Sequence, residues 1–258
     1  MHTDDRMMTP LVTIIMPAYN VSKYIEEAIT SVIEQTFIEW ELIVIDDCSK
    51  DNTFQIAQEL AKKDSRIKVL KNDINMGVAK TRNRGLDIFK GKYVALLDSD
   101  DYWAPQFLEK MLARAEETKT DITYCSYEMV GEDGQKVCND FIVPLGTSFK
   151  ESIVRSVITC STVLLTADLA KSNRFPTNMY HEDIALWFQL LRAGKTASGV
   201  QEVLAAYRQR NNSRSSDKIK SAFRRWKIYR EHLKMPFWQS IVVMVLYACY
   251  GIMKFKRV

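Results

Sequence analysis

Four short apolar runs, at residues 11–16, 42–45, 67–70 and 93–97, are separated by segments whose apolar residues recur at helical spacing. Ile25, Ala28, Ile29, Val32 and Ile33 draw one such stripe, and Ile56 with Leu60 and Ala79 with Leu86 mark two more. Strand-like and helix-like patterns in alternation are the signature of βαβ units, which predicts an α/β fold on a mixed, mainly parallel sheet with flanking helices. Pro17 closes the first run, Asp51 or Asn52 is placed to cap the second helix, and Asn75-Met76-Gly77 turns the chain into the third.

Open sheets of this kind hold ligands beyond the carboxyl ends of their strands. Asp46-Asp47 and Asp98-Ser99-Asp100-Asp101 stand at two such ends, so both face one crevice. A carboxylate at the first is a matched acceptor for the N3–H of a uracil ring. Hard oxygen donors spaced i, i+2 at the second suit Mg2+ or Mn2+, which take few protein carboxylates and complete their shell with phosphate oxygens and water. A third acidic pair, Glu182-Asp183, opens a helix whose stripe is Ile184, Leu186, Trp187, Leu190 and Leu191, and is free to act on an acceptor. Each of these acids has a plainer reading, as a helix cap, a solvated turn or a complement to the helix dipole.

The motifs resemble, in order, those of the family 2 glycosyltransferases of bacterial cell-surface polysaccharide synthesis, which have the GT-A nucleotide-diphospho-sugar transferase fold. Residues 12–20 resemble the family's opening strand, Asp46-Asp47-Cys48-Ser49-Lys50-Asp51-Asn52-Thr53 its "DDGSxDxT" loop, and Asn75-Met76-Gly77 with Arg82-Asn83 its "NxG…ARN" segment. Asp98-Ser99-Asp100-Asp101 resembles the DxD motif, and Glu182-Asp183 with Leu186-Trp187 the "ED…W" helix start. The likeness covers about residues 10–215.

Carried over by position, the resemblance implies that Asp47 reads the base beside Pro17 and Tyr19, that Asp98 with Ser99 lies near the ribose, and that Asp100 holds Mn2+ or Mg2+. Asp183 becomes the general base of an inverting transfer from a nucleotide-diphospho-sugar, UDP-linked, to a saccharide or lipid-linked acceptor. An aspartate with the ordinary value of about 3.9 stays ionised for that task without tuning. Arg82 reads as a surface or phosphate-facing cation. Arg210 stands where many relatives carry His and is suited to pair bidentately with the diphosphate, while Cys48 stands where the family loop usually has Gly.

The resemblance divides the chain into an extension at 1–9, a catalytic domain at 10–215 and C-terminal helices at 216–258. Within the catalytic domain, 10–101 would bind the nucleotide and 102–215 the acceptor. Beyond Asp101 the pattern loosens to a helix at 106–117, a strand at 122–127 and a turn at 131–134, and residues 141–176 are the least legible.

Charge is unevenly spread. Residues 208–258 carry 13 Lys and Arg against 2 acidic residues, whereas the rest of the chain carries 23 against 30. Ile219, Phe223, Trp226, Tyr229 and Leu233 recur at helical spacing among Lys218, Lys220, Arg224, Arg225, Lys227 and Arg230, a cationic amphipathic helix. Residues 237–253 are apolar but for Gln239, Ser240 and Gly251. As a helix they extend roughly 25 Å, the short limit for crossing a bilayer. With cations on both flanks, the tail is expected to lie on or dip into the cytoplasmic leaflet, the alternatives being a helix packed on the catalytic core or a dimer interface, and a true single span. The cations lack a nucleic-acid-reading motif.

Five scattered cysteines without CxxC spacing and a start without an apolar signal region point to the cytoplasm, peripheral to the inner face of the membrane. The three histidines are too dispersed for a metal site. Two rival enzyme classes lack their marks: a sugar nucleotidyltransferase wants a Gly-rich, Arg-containing loop after the first strand, and a haloacid-dehalogenase-like phosphatase wants Thr or Val where Asp101 stands. A membrane-bound scaffold that kept the fold and lost turnover would release no nucleotide diphosphate.

Overall fold

Strand β1 (Val12–Ala18) and strand β2 (Trp40–Asp46) are buried along their whole length, because helices cover both faces of the sheet they build. In this computed structural model, which describes residues 10–210 and 218–255, β1 lies between β2 and β4 (Tyr93–Leu96), and β3 (Ile67–Lys71) flanks β2, all four parallel. Successive side chains of β1 point to opposite layers. Ile14 and Met16 pack with α1 (Ile25–Ile33), α2 (Thr53–Ala61) and α4 (Phe107–Thr118), while Ile15 packs with α3 (Val78–Ile88).

Pro17 does not stop β1, which runs on through Ala18. The Leu97 N–H donates to Ile15 O on the β4 side, so Pro17, two residues on, turns its missing donor to that same side. There β4 has already ended, and no ladder bond is lost.

The second half of the sheet depends on two strands that lack a sequence signature. Strand β7 (Val163–Thr166) runs antiparallel to both β4 and β6 (Ile122–Val130), and β8 (Ala197–Arg208) lies parallel to β6 and antiparallel to β5 (Tyr102–Trp103). The eight strands follow the order β3-β2-β1-β4-β7-β6-β8-β5 in one sheet. The β6–β8 register slips at Cys125/Ser126 and again at Ser126/Tyr127, which breaks the period-two pattern that would have marked β8. Two short helices, α5 (Phe149–Arg155) and α6 (Ala167–Ser172), and α7 (Glu182–Arg192) complete this half.

The C-terminal segment forms α8 (Lys218–Lys227), a π-helical turn (Ile228–His232) and α9 (Phe237–Phe255). It packs on the α/β body instead of presenting its whole apolar stripe outward. Tyr229 and Leu233 are buried in a cluster with Ile153 of α5 and Ala185 and Phe188 of α7, and only Phe223 of the described stripe stays largely exposed, at 69%. Arg225 turns inward as well. Its Nε–H donates to Tyr229 Oη (2.8 Å), its Nη2 to Ile153 O (3.0 Å) and Ser156 Oγ (2.6 Å), and its plane lies 4.1 Å from the Tyr247 ring centroid. No helix among the described residues is long and apolar enough to cross a membrane. The 1–9 extension and the boundary expected at 215/216 lie outside the described residues.

Candidate active site

The carboxyl ends of β1, β2 and β4, the first turn of α7 and the end of β8 surround one crevice of about 660 Å³. Pro17, Tyr19, Asp47, Arg82, Asp98 and Ser99 line it, and so do Asp100, Asp183 and Arg210. Acids separated by more than a hundred residues of sequence therefore share one cavity, the convergence expected from strand-end placement.

The floor is set by Asp47. Its Oδ1 accepts from Asn72 Nδ2 (2.7 Å) and Met76 N–H (2.8 Å), and its Oδ2 from Gly77 N–H (2.8 Å). The carboxylate thus fixes the turn into α3, where Gly77 takes φ +85°, a conformation open to glycine at little cost. Cys48 takes the left-handed conformation its Gly counterpart would favour, at φ +64°. Across the crevice mouth, the β1–α1 loop is tied to this segment by Asn20 N–H to Ser49 Oγ (2.9 Å) and Lys50 N–H to Asn20 Oδ1 (2.8 Å). Asp51, not Asn52, serves the start of α2, accepting from Thr53 N–H (3.0 Å).

Arg82 is buried and lines the crevice, which rules out the surface alternative of its reading as a surface or phosphate-facing cation. Nη2 donates to Asp98 Oδ1 (2.5 Å) and Nη1 to Glu182 Oε1 (2.6 Å), so one guanidinium joins α3, the end of β4 and the start of α7. Burial alone would lower its pKa, and the carboxylates of Asp98, Glu182 and Asp183 more than reverse that, holding the cation charged. Glu182 is thereby a structural partner. Asp183, one residue on, remains partly exposed at the cavity.

Asp183 is not an untuned aspartate. Withdrawal from water and the neighbouring Glu182 raise its pKa to about 6, against the pull of Arg82 and the Ile184 N–H. The expectation of an ordinary value is therefore corrected, and in a useful direction: a base is most effective when its pKa approaches the working pH.

Asp101, Ser161 and Arg208 are parts of the site that sequence reasoning did not assign. Asp101 is buried; its Oδ2 accepts from Ser161 Oγ–H (2.5 Å) and its Oδ1 from Arg208 N–H (2.8 Å). Ser161 O accepts from Trp103 Nε1–H (2.6 Å), and Ser161 Oγ from Asp98 N–H (3.1 Å). Arg208 donates through Nε to Asp100 O (2.9 Å) and through Nη2 to Glu27 Oε2 (2.5 Å). These bonds hold the acidic loop from below. Asp101 was visible as a fourth residue of an acidic run, but Ser161 carries no local signal, because its partners are some sixty residues away.

Asp100 faces the crevice with Arg210 Nη1 3.2 Å from its Oδ2. Burial and the Asp98 carboxylate raise its pKa, and Arg210 lowers it in part. A carboxylate crowded by a second acid is eased by a hard cation, so the donor set fits Mg2+ or Mn2+ bound through one or two carboxylates, with phosphate and water completing the shell. Among the described residues no group of three or more His, Cys, Asp or Glu is placed to hold a metal ion by itself.

A parallel-strand half that ends in acids, continued by an antiparallel half that brings a second acidic helix start to the same crevice, defines a GT-A sugar-nucleotide transferase. Known proteins agree. The Glycosyl transferase family 2 model matches residues 13–137. The chain is 37% identical to the putative teichuronic acid biosynthesis glycosyltransferase TuaG of Bacillus subtilis over 93% of its own length and 95% of that protein. It is 33% identical to the Escherichia coli UDP-Glc:alpha-D-GlcNAc-diphosphoundecaprenol beta-1,3-glucosyltransferase WfgD, over 95% of the chain and 94% of WfgD. Among solved structures, S. aureus TarS 1-349 in complex with UDP-GlcNAc superposes with a TM-score of 0.69 at 23% identity, covering 92% of this chain and 71% of that TarS fragment. The mannosyltransferase PcManGT of Pyrobaculum calidifontis, in complex with GDP-Man and Mn2+, gives 0.66 at 19% identity over 88% and 64%. The chain belongs to glycosyltransferase family 2.

Proposed function

We propose that this glycosyltransferase moves a hexosyl or N-acetylhexosaminyl group from a UDP-sugar to a hydroxyl of a saccharide or lipid-linked acceptor, with inversion, in the building of a bacterial surface polysaccharide or lipopolysaccharide. The observation that carries this reading is the opening of Asp47, Asp100 and Asp183 onto one crevice. The UDP-linked glucose for which WfgD is named and the UDP-GlcNAc complex of TarS support the choice of nucleotide.

In this reading the base lies in the floor beside Pro17, Tyr19 and Asp47, the ribose near Asp98 and Ser99, and the diphosphate toward Asp100 and Arg210. Asp47 already accepts three protein hydrogen bonds, so it is rigid when it meets the base N3–H through remaining lone-pair capacity. Asp100 would hold Mn2+ or Mg2+, which when bound supplies positive charge against the departing diphosphate. Asp183 takes the acceptor O–H proton as that oxygen bonds to the anomeric carbon. The bond from that carbon to the diphosphate breaks, and UDP leaves with its electron pair. Arg82 keeps Asp98 and Glu182 in place and paired, so that Asp183 is the acid left to receive a proton.

Attachment to the cytoplasmic leaflet is part of the proposal. It is supported by the exposed α9 residues Trp238, Val242, Val245 and Leu246 and by exposed Lys220, Lys227 and Lys234.

Asp100→Ala and Asp183→Ala separate the two roles. Each is expected to lower transfer by about 10³-fold or more, and only Asp100→Ala to weaken manganese-dependent UDP binding in calorimetry. Equal UDP binding by wild type and Asp100→Ala across a manganese titration would overturn the metal assignment. A wild-type chain that hydrolyses none of a panel of nucleotide sugars would support the non-catalytic scaffold.

A further inference from the structure

We propose that Asn72 is a positioning residue for nucleotide selection: it commits one carboxylate oxygen of Asp47 to the protein and leaves that acid a single acceptor position, matched to the single ring N–H of uracil. The inference rests on the reading of Asp47 as the group that meets the base, and deepens it by naming what makes that meeting selective.

Backbone pairing carries Asn72 to its place. It follows β3 directly, and its N–H donates to Asp46 O (2.8 Å), so the residue after β3 lies against the end of β2. There it is 2% exposed, and its side chain bonds through both ends. Nδ2 donates to Asp47 Oδ1 (2.7 Å) and to Thr81 Oγ1 (3.2 Å), while Oδ1 accepts from Arg84 Nη1 (2.5 Å). Turned over, the amide would aim its oxygen at a carboxylate and its NH2 at a guanidinium, so one orientation alone is satisfied. Thr81 Oγ1–H donates in turn to Gly77 O (3.0 Å), and Gly77 N–H to Asp47 Oδ2 (2.8 Å). A closed ring of hydrogen bonds thus runs through Asp47, Asn72, Thr81 and Gly77.

The ring decides what Asp47 can accept. An ionised carboxylate has about four acceptor positions. Asn72 Nδ2 and Met76 N–H take those on Oδ1, and Gly77 N–H takes one on Oδ2. Among the hydrogen bonds of the described residues, this leaves one position, on Oδ2, for a ligand in the crevice that Asp47 lines. Neutral cytosine turns a lone pair to such a site at N3, and its donor is the N4 amino group, displaced to one side. The Asn72 amide lies between the Arg84 guanidinium and the Asp47 carboxylate, so the bond that holds Oδ1 is charge-assisted and polarised from both ends. Without it Oδ1 regains an acceptor position, the carboxylate is free to turn, and the cytosine amino group becomes an acceptable partner.

The test compares UDP with CDP by calorimetry on the full chain at saturating Mn2+. Wild type is expected to bind UDP about thirtyfold more tightly than CDP. In the near-isosteric Asn72→Leu, UDP binding should weaken about tenfold and CDP binding less than about threefold, so that the preference narrows. Arg84→Met, at the half-buried outer end of the chain of bonds, should narrow it about two- to threefold. A merely structural Asn72 would weaken both nucleotides by one factor. Equal loss of UDP and CDP in Asn72→Leu of native melting temperature would therefore overturn the proposal; should that variant lack the native melting temperature, Arg84→Met decides, and an undiminished preference there overturns it. Wild type binding UDP and CDP equally would overturn the reading of Asp47 itself, a result distinct from a selective wild type whose selectivity survives the substitutions.

Discussion

Asp183 sits between two neighbours that pull its proton in opposite directions, Glu182 raising its affinity and Arg82 lowering it, with burial the largest influence. At pH 7 a carboxyl with a pKa of about 6 is about nine-tenths ionised, so the proposed base would be ready and still basic. With the ionised form active in that proposal, activity should be lost as the pH falls through that value. The expected kcat/KM profile has an acid limb near pH 6, with a tenfold fall per unit below it. Glu182→Gln removes one like charge and should move that limb downward. A wild-type limb near pH 4 would mean that Asp183 is not the group titrating. Asp47 shows the opposite economy: it lines the crevice, yet three of its acceptor positions serve the protein, so the residue that would read the base also builds the loop beneath it.

At the scale of elements, α8 is joined to the body by a cation. Arg225 has no acidic partner in the bonds it makes; carbonyl, hydroxyl and phenol oxygens and the faces of Phe188 and Tyr247 take its charge. Arg225→Ala should cost about 2–4 kcal/mol from lost packing and hydrogen bonds. Hydrogen exchange should then speed up across α8 and α9 while β1 and β2 stay protected; uniform change over the whole chain would refute a local anchoring role. Legibility in the sequence also varied by element. The βαβ half was readable because β1 and β2 are continuous apolar runs and because α1 shows its buried stripe in Ile25, Ala28, Ile29 and Val32. Strand β7 has only four residues, and β8 is interrupted by bulges and exposed Gln201 and Glu202, so neither announced itself. The site was legible as a set of acids but not as a network. That Arg82 would be buried, or that Ser161 would hold the acidic loop, depends on pairings across 60 to 100 positions, which no local pattern encodes. The tail's apolar stripe was legible, but how far it would pack on the body was not: α5 and α7 offered Ile153, Ala185 and Phe188 to cover part of it.

The whole molecule is polarised, with an acidic catalytic body and a basic C-terminal end. Packing consumed part of the amphipathic tail, and what remains outward is a stripe on α9, from Trp238 through Val242, Val245 and Leu246, with Lys227 and Lys234 exposed nearby in sequence. Cosedimentation should therefore depend on lipid charge: the chain is expected to pellet with vesicles containing anionic lipid and much less with zwitterionic ones, and added salt should release it. Replacing Trp238 and Val245 together by Ser should lower the bound fraction several-fold without altering the melting temperature. Binding indifferent to both lipid charge and these substitutions would exclude this surface.

Strand β7 has a consequence for how such an enzyme can diversify. Hydrogen-bonded to β4 on one edge and to β6 on the other, it welds the parallel-strand half and the β6–β8 half into a single plate, which opposes a swivel between the halves that would adjust the gap for a new substrate. Novel linkages must then arise by recasting the loops and the terminal helical arm around an unmoving anvil, much as a lathe changes its product by changing the tool and leaving the bed alone.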